Sequence, residues 1–235
     1  PEYRFKTQIL ADGTISDGVL KGNLIIVGFG DPSSSSRIEP KDPFRAFRDW
    51  AGRLKQQGVH KIAGSILGDG GSFEETAYGR GWAWDDLPEG YADPVSALQF
   101  NENLVGLEIT PGLKAGTFAS IKMEPLTTYF TVESNVVTDA ARKPARIEIA
   151  RSRIDDSAVV SGTIPLGGTT IARAVAVQYP VRYYLSAFKH ILNEEGIDVS
   201  NCEISETRGS RPPSASLLWI PTSPPLSELM APIMK

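Results

Sequence analysis

Glycine and proline divide this chain into short segments. Its 235 residues include 22 glycines and 17 prolines, and both residue types favour turns and interrupt helices and strands. The apolar runs between them are short, as at Leu24–Val27, whereas a helix that crosses a membrane needs about 20 mostly apolar residues. The sequence therefore predicts many short strands, few helices and no transmembrane segment.

Two segments have the periodicity of amphipathic helices. The first follows Asp42-Pro43, which supplies an N-cap and a residue favoured in the first helical turn, and it ends before Gly58. The second runs from Pro180 to Glu195 and ends at Gly196, because glycine readily adopts the left-handed conformation that closes a helix. We therefore expect two main helices, and the apolar stripe of the second comprises Val181, Tyr184, Leu185, Phe188 and Leu192.

Alternating polar and apolar residues predict strands. Residues 3–9 alternate, and the pairs Asp12-Gly13 and Asp17-Gly18 are typical of turns, so residues 3–28 predict a β-hairpin. With the helices, these strands predict an α+β fold with mostly antiparallel sheets and a few packed helices. Further predicted strands lie at residues 62–67, 104–109, 117–123, 145–149, 158–164 and 217–220.

Charge and cysteine content exclude several classes of function. The chain has 24 lysines and arginines against 28 aspartates and glutamates, a net charge of −4, which argues against a nucleic-acid-binding protein. Its one cysteine, Cys202, excludes an internal disulfide and any site with several cysteine ligands. The two histidines, His60 and His190, lie in no zinc-binding motif. We therefore expect no metal site.

One pair of residues has the spacing of a serine nucleophile and its base. Ser186 and Lys189 form an S-x-x-K sequence, in which the amine lies one helical turn from the hydroxyl. The helical periodicity, however, places Ser186 opposite the apolar stripe, where it faces solvent. Lys114–Thr117 loosely resembles the K-T-G strand of such enzymes, but it precedes the serine and no S-x-N sequence accompanies it. Spacing and order therefore predict no catalytic residues in this chain.

Trp82, Trp84 and Tyr91 form an aromatic group in one glycine-rich segment. Such rings stack on sugars in some proteins, and in others they anchor a long loop to the body of its domain. Both interpretations of this segment remain open from the sequence.

Six segments occur in an order that is specific as a set. They are PEYRFKTQIL (1–10), GVLKGNLIIVGFGDP (18–32), GVHKIAGSILGDGGSF (58–73), GRGWAWDDLPEGYADPVSALQFNENLVGLEITPG (79–112), SGTIPLGG (161–168) and SPPLSELM (223–230). The set spans almost the whole chain and resembles the penicillin-binding protein 4 type of D-Ala-D-Ala carboxypeptidases and endopeptidases. One departure is Gly70-Gly71, where the family usually has another polar residue.

The resemblance implies a serine peptidase whose catalytic domain is interrupted by a long insertion. In that family S-x-x-K lies a little upstream of a strand like residues 3–7, and S-x-N lies just beyond a helix like residues 223–230. The chain is therefore expected to contain the inserted domains of an exported, periplasmic enzyme that acts on peptidoglycan. No catalytic, cofactor-binding or metal-binding residue of the family is expected here, and no cofactor is implied. The expected partners are peptidoglycan and the missing catalytic domain.

The resemblance also implies that one inserted domain is nested inside the other. A lone hairpin is marginally stable, so the hairpin at 3–28 is expected to pair with later strands at 145–149 and 158–164. The expected division is an inner domain at 31–124, an outer domain at 1–30 plus 125–215, and a return segment at 216–235 toward the missing catalytic domain.

The last residues carry a separate expectation. A short helix after Pro224-Pro225 would place several apolar residues on one face. If that helix belongs to a missing domain, its apolar face lacks cover, and such patches commonly mark contact sites. Residues 222–235 are therefore expected to pack loosely or to mediate self-association.

Two functions from different classes remain open. The first is a non-catalytic part of a cell-wall peptidase, which by itself is inactive. The second is a free-standing secreted binding or scaffolding module with no enzymatic role. The coding sequence on either side of this chain distinguishes them, because only the first requires S-x-x-K before it and S-x-N after it.

Overall fold

The computed structural model describes residues 2–73, 81, 83, 90–152, 154–207, 209 and 212–233. These residues form two compact units. Unit 2 interrupts unit 1 in the sequence. Unit 1 contains the described residues 2–73, 95–102 and 180–233, and unit 2 contains 81, 83, 90–94, 103–152 and 154–179.

The described part of the chain contains three α-helices and twelve β-strands, which confirms the predicted α+β class. Most of these strands have an antiparallel neighbour, also as predicted. The elements in chain order are β1 (Gln8–Ser16), β2 (Val19–Val27), α1 (Arg45–Gln56), β3 (Lys61–Ile62), β4 (Ile66–Asp69), β5 (Leu104–Thr110), β6 (Ser120–Glu124), β7 (Thr131–Asp139), β8 (Arg146–Arg151), β9 (Ser157–Pro165), β10 (Ile171–Ala176), α2 (Pro180–Glu194), β11 (Ile204–Thr207), β12 (Ser216–Trp219) and α3 (Leu226–Ile233).

Strands β1 and β2 form the predicted hairpin. Asp17 and Gly18 make its turn, with φ angles of 53° and 80°. Asp12-Gly13 is not a second turn, because Gly13 lies inside β1 opposite Gly22. The strands approach closely at this pair, since a Cβ on Gly22 would lie 1.8 Å from the Asp12 carbonyl oxygen. Gly13 and Gly22 therefore allow the two backbones to approach closely, and they do not form a turn.

The hairpin belongs to a sheet in unit 1 with the strand order β11-β4-β2-β1-β12, and β3 also pairs with β2. Strand β4 pairs with β2 in parallel, because the intervening α1 returns the chain to the same end of the sheet. Strand β11 continues the parallel part beside β4, and β12 adds an antiparallel edge beside β1.

The compact units differ from the predicted domain boundaries. Residues 45–69 were expected in an inner domain at 31–124, but their strands pair with the hairpin. The strands expected beside the hairpin are β8 and β9, which pair with each other in unit 2. The expectation assumed that the hairpin pairs with later strands. Instead, α1 connects β2 to β4 and returns the chain so that β4 pairs with β2 in parallel.

Helix α1 begins at Arg45, three residues after the predicted N-cap. Asp42 instead closes a turn before the helix: its Oδ1 accepts the Phe44 N–H at 3.1 Å, and its carbonyl accepts the Arg45 N–H at 3.1 Å. The predicted end is correct, because Gly58 has a φ of 81° and its N–H donates to the Lys55 carbonyl.

A cluster of aromatic side chains joins α1 to α2 in unit 1. Phe47 lies at its centre, with ring centroids 4.9 to 5.7 Å from those of Trp50, Phe100, Tyr184 and Phe188. Its side chain is fully buried. All five residues of the predicted α2 stripe are also buried, which confirms the face of this helix that points to the core.

Charged side chains hold the C-terminal end of α2 against α1. Lys55 Nζ donates to the Glu195 carbonyl at 2.9 Å and to Glu195 Oε2 at 3.1 Å. Arg48 Nη1 lies 3.5 Å from Glu195 Oε1 and 3.0 Å from Glu194 Oε2. The hydrogen bond from Lys55, helped by Arg48, lowers the pKa of the Glu195 carboxyl below its usual value.

Replacing this carboxylate should therefore change how stability depends on pH. Because the pKa of Glu195 is lower in the folded chain, its contribution is present above the unfolded pKa and is lost as pH falls through the folded pKa. Glu195→Gln is expected to lower the urea midpoint at pH 7, and the difference from the parent chain should shrink at pH 3. Glu203→Gln, at an exposed position, is the control. If the difference in urea midpoint between Glu195→Gln and the parent chain stays constant from pH 7 to pH 3, the lowered pKa of Glu195 is contradicted.

Unit 2 contains two three-stranded sheets, β10-β5-β6 and β7-β9-β8. Strand β9 lies between a parallel neighbour, β7, and an antiparallel neighbour, β8. Its Gly162 has a φ of 119°, and a Cβ there would lie 1.9 Å from the Arg146 carbonyl oxygen. The centre of this sheet therefore requires glycine both for its backbone conformation and for its contact with β8. Fully buried side chains of the unit include Val105, Ile109, Val136, Val160 and Ile164.

Residues 3–7 and 221–226 lie beside each other in unit 1, and we call this pair of segments the terminal ribbon. Its two segments run antiparallel, with Lys6 opposite Thr222. Ser223 is 2% exposed, so the ribbon is packed rather than frayed. Its backbone hydrogen bonds run from Thr7 N to Pro221 O (3.1 Å), from Ser223 N to Phe5 O (3.0 Å) and from Leu226 N to Tyr3 O (2.8 Å).

Helix α3 continues from the terminal ribbon. Its Leu229 is 1% exposed, which shows that the helix buries an apolar residue within this chain. The predicted loose packing of residues 222–235 is therefore wrong for 222–233, the part that the structure describes. The expectation rested on the apolar face alone and did not include the hydrogen bonds of the ribbon. Self-association through this segment stays a prediction.

Candidate functional site

A groove of about 550 Å³ lies in unit 1 between α1 and the terminal ribbon. This volume is within the range of ligand-binding clefts. Trp50 is among the residues that line it and is only 6% exposed, so its indole ring is held by the aromatic cluster beneath. Trp50 therefore gives the groove one wall whose position is fixed by the aromatic cluster.

One wall of the groove is the exposed face of α1. Arg45, Asp49 and Arg53 follow each other at four-residue intervals and therefore share one face of the helix. Arg45 Nη1 lies 3.2 Å from Glu39 Oε1, an exposed ion pair. Among the residues that the structure describes, none lies within ion-pair distance of the side chains of Asp49 or Arg53. Within the described residues, these two side chains therefore make no ion pair beyond their own helix face.

The opposite wall is the terminal ribbon with the residue before it. Arg4 Nη1 donates to the Ser223 carbonyl at 2.9 Å, which fixes the arginine beside the groove. Ile220 is 41% exposed and adds an apolar contact surface. Three prolines also line this wall, and their backbone nitrogens carry no N–H to donate. They are Pro221, Pro224 and Pro225.

Charged side chains of both signs line the groove. Its charged lining residues are balanced, three of each sign: Arg4, Arg45, Arg53, Glu39, Asp49 and Glu228. Of its described hydroxyl groups, Ser223 Oγ is occupied, because it accepts the Phe5 N–H at 3.0 Å and donates to the Pro224 carbonyl at 2.6 Å. The described lining residues include no lysine, histidine or cysteine.

A second, much smaller cavity of about 10 Å³ in unit 1 is lined by Asp31, Tyr184 and Thr7, among others. Its volume matches one water molecule. Burial raises the pKa of the Asp31 carboxyl, although the Ser33 N–H donates to it at 2.9 Å. Burial, together with the charge of Asp31, also raises the pKa of the Tyr184 phenol. This cavity has room for a structural water and not for a substrate.

The lysine of the S-x-x-K sequence on α2 is engaged in a hydrogen bond with the backbone. Lys189 Nζ donates to the carbonyl of Cys202 at 2.5 Å, which occupies the amine with a structural hydrogen bond. Ser186 is half-buried rather than facing solvent as predicted, because α2 also buries Tyr183 and Ala187 and so has a wider apolar face. The structure therefore gives this motif a role in packing.

Lys114–Thr117 forms an exposed turn in unit 2 and not a strand. Thr117 Oγ1 donates to the Lys114 carbonyl at 2.7 Å, and the Gly116 N–H donates to the Thr138 carbonyl at 2.8 Å. The resemblance to K-T-G is thus limited to sequence, and the segment provides a turn before β6.

The two histidines differ from the cysteine in their exposure. His60 and His190 are exposed, and His190 Nε2 lies 3.2 Å from Glu194 Oε1. Cys202 is 3% exposed, and its thiol donates to the Ile62 carbonyl. Burial raises the pKa of this thiol, so it is not activated as a nucleophile. Within the described ranges, no group of three or more metal-ligating side chains occurs.

The aromatic segment is only partly described. Trp82 and Trp84 lie outside the described residues, and Tyr91 is 60% exposed.

Sequence reasoning did not find the groove. Its residues come from three distant parts of the chain, near 4, 33–53 and 220–228. The four-residue spacing of Arg45, Asp49 and Arg53 is the one local signal, but it is also typical of an ordinary solvated helix face. The opposite wall is set by the pairing of the terminal ribbon, which no local pattern predicts.

Comparison with known proteins gives a consistent result along the whole chain. The sequence model of the D-Ala-D-Ala carboxypeptidase 3 (S13) family matches residues 1–235. The D-alanyl-D-alanine carboxypeptidase DacB of Haemophilus influenzae is 24% identical over 235 residues, and the match covers 100% of this chain and 47% of that protein. A D-alanyl-D-alanine carboxypeptidase of Actinomadura sp. is 24% identical over 243 residues, and the match covers 100% of this chain and 43% of that protein.

The fold also has a counterpart among solved structures. The crystal structure of penicillin binding protein 4 (dacB) from Haemophilus influenzae matches with a TM-score of 0.78 and 23% sequence identity, over 100% of this chain and 49% of that chain. The chain therefore spans about half the length of the relatives that it matches.

Proposed function

The chain belongs to the D-Ala-D-Ala carboxypeptidase 3 (S13) family, and from this premise we propose that it forms the accessory domains of a cell-wall serine carboxypeptidase or endopeptidase. The family and its named relatives confirm the resemblance to the penicillin-binding protein 4 type. In this proposal the catalytic motifs lie outside these 235 residues, and the chain alone is inactive.

The terminal ribbon is the observation that carries the proposal. A module inserted into another domain must leave its host and return to it at neighbouring points. Residues 3–7 and 221–226 are hydrogen-bonded side by side over three backbone contacts. This arrangement supports an insertion, because both connections to a host would emerge from one ribbon.

The candidate nucleophile supports the same proposal. Acyl transfer by serine needs a base within hydrogen-bonding reach of the hydroxyl. The only S-x-x-K sequence of the chain has its lysine amine on the Cys202 carbonyl instead. The K-T-G-like residues form a turn in the other unit. These residues are therefore poor candidates for the family's active site.

The chemistry proposed for the whole protein follows the family. A serine outside this chain attacks the carbonyl between two D-alanines of a peptidoglycan stem peptide, and a lysine accepts its proton. The terminal D-alanine leaves, carrying a proton on its amine, as the acyl-enzyme forms, and water then hydrolyses the acyl-enzyme to free the serine. We place this reaction outside the cytoplasm, since its substrate is the cell wall. No helix in the described part of the chain is both long enough and apolar enough to span a membrane.

The flanking coding sequence tests this proposal. We expect an S-x-x-K sequence within a few tens of codons before Pro1 and an S-x-N sequence soon after Lys235. Finding neither, with the reading frame closed on both sides of the chain, would overturn the proposal in favour of a free-standing module.

A further inference from the structure

We propose that the outer face of the β7-β9-β8 sheet in unit 2 binds the glycan strands of peptidoglycan. The choice of this polymer rests on the proposed function, which places the protein at the cell wall. The proposal gives unit 2 a role of its own, which is to hold the enzyme on its insoluble substrate.

The two faces of this sheet differ in exposure. Side chains alternate between the faces along each strand, and one set is buried, including Val136 on β7 and Val160 and Ile164 on β9. The alternate set points away from this core, and all of its members are exposed or half-buried. It comprises Thr131, Glu133, Asn135 and Val137 on β7, Val159, Ser161 and Thr163 on β9, and Arg146, Glu148 and Ala150 on β8.

The strand register sets the shape of this outer face. Side chains of the three strands lie opposite one another in rows, two of which are Asn135–Ser161–Glu148 and Val137–Thr163–Arg146. Phe118 extends the second row, because it forms an antiparallel bridge with Val137. Neighbouring strands lie about 4.8 Å apart, so the side chains of β7 and β8 stand about 10 Å apart, on either side of β9. Because the β9 side chains are short, the face is a shallow trough with an aromatic ring at its edge.

The polar groups of the trough have few partners within the protein. Asn135 Nδ2 donates to Glu133 Oε1 at 3.0 Å, which leaves the Asn135 carbonyl oxygen and the second Glu133 oxygen open as acceptors. In the described part of the chain, Arg146 and Glu148 form no ion pair and the Ser161 hydroxyl forms no hydrogen bond. The trough therefore offers both donors and acceptors, which the hydroxyl and acetamido groups of a glycan can bind.

Phe118 supplies an apolar contact beside these polar groups. Its ring is 67% exposed, and covering an exposed phenylalanine removes apolar surface from water. The carbon-bound hydrogens on one face of a sugar ring can stack on such a ring, while the hydroxyl groups at the edge of the sugar bind the polar groups of the trough.

The composition of the trough disfavours other occupants. It carries one arginine, Arg146, against two glutamates, Glu133 and Glu148, so it would repel a polyanion, which needs an excess of positive charge. A protein interface usually has a more apolar centre than rim, whereas the centre of this face contains Ser161 and Thr163. A neutral polysaccharide fits both observations.

Sedimentation with cell-wall glycan tests the proposal. Purified sacculi treated with an amidase that removes the stem peptides retain the glycan strands. The 235-residue chain is mixed with this material, and the bound fraction is measured against the glycan concentration. Phe118→Ala removes the ring, and Asn135→Ala removes the amide. Leu126→Ala is the matched control, because Leu126 is 69% exposed but precedes β7 and lies outside the sheet.

We expect Phe118→Ala to raise the Kd for amidase-treated sacculi about tenfold and Asn135→Ala to raise it at least about threefold, with Leu126→Ala unchanged. Circular dichroism and urea midpoints check that each variant is folded. If the parent chain does not bind, or if folded Phe118→Ala and Asn135→Ala bind as well as the parent, the proposal is wrong. Binding to intact sacculi but not to amidase-treated sacculi would make the stem peptide the ligand and would also overturn it.

Labelled penicillin separates this proposal from the proposed function. The complete gene product is expected to form a covalent penicillin adduct and to bind amidase-treated sacculi. An adduct without glycan binding overturns the glycan site and leaves the proposed function standing. Glycan binding that depends on Phe118, without an adduct, supports the site but overturns the proposed function, and the sheet face then belongs to a free-standing binding module.

Discussion

Phe47→Ala is expected to lower the free energy of unfolding of unit 1 by about 3–5 kcal/mol, the usual range for removing a buried phenylalanine. Phe47 is fully buried, and its ring contacts four other aromatic rings from α1, α2 and the segment at 95–102. These neighbours are themselves packed, so they cannot collapse into the space that the ring leaves. Urea unfolding followed by tryptophan fluorescence measures the change, because Trp50 lies in the same cluster.

The control for this substitution lies on the same helix. Gln56→Ala removes an exposed side chain and should change stability by less than about 0.5 kcal/mol. Similar urea midpoints for Phe47→Ala and Gln56→Ala would show that the aromatic cluster does not hold α1 to α2.

Gly162→Ala is expected to disrupt the β7-β9-β8 sheet of unit 2. The added Cβ would lie 1.9 Å from the Arg146 carbonyl oxygen, a backbone atom that cannot turn away. In addition, a φ of 119° is a conformation that residues with a Cβ avoid. Overpacking of this kind commonly costs about 1–3 kcal/mol, and the backbone strain adds about 1–3 kcal/mol more. Hydrogen exchange of peptides covering 157–165 should show lost protection.

A second glycine of unit 2 separates these two effects. Gly167 has a φ of 71°, but a Cβ there would meet no atom within 4 Å. Gly167→Ala should therefore cost only the backbone strain and should leave the protection of β9 nearly intact. Equal loss of protection in both variants would contradict a steric contact between β8 and β9 at Gly162.

The sequence predicted those elements whose signals are local. The hairpin of β1 and β2 is encoded by alternation and by Asp17-Gly18, and the apolar stripe of α2 is encoded by helical spacing. The start of α1 was misplaced because Asp42 has the side chain of an N-cap but uses it to close the preceding turn. A side chain that fits two local motifs does not by itself indicate which one forms.

Long-range pairings were harder to predict. The sequence offers several strands as partners for β2, and only the connection through α1 selects β4. The groove has the same difficulty, because Arg4 and Asp49 come together only after the terminal ribbon forms. Likewise, Ser186 and Lys189 have the spacing of a catalytic pair, but the contact of the lysine with Cys202 depends on the fold around α2.

Labelling with a fluorescent penicillin tests the central claim most directly. The account predicts that the complete gene product is labelled covalently, about one label per chain, because its catalytic serine is trapped as an acyl-enzyme. It also predicts that the 235-residue chain, folded and at the same concentration, gives no label that survives denaturation. Stoichiometric labelling of the 235-residue chain, mapped to Ser186 or to any other of its serines, would show that the chain carries its own active site and would contradict the account.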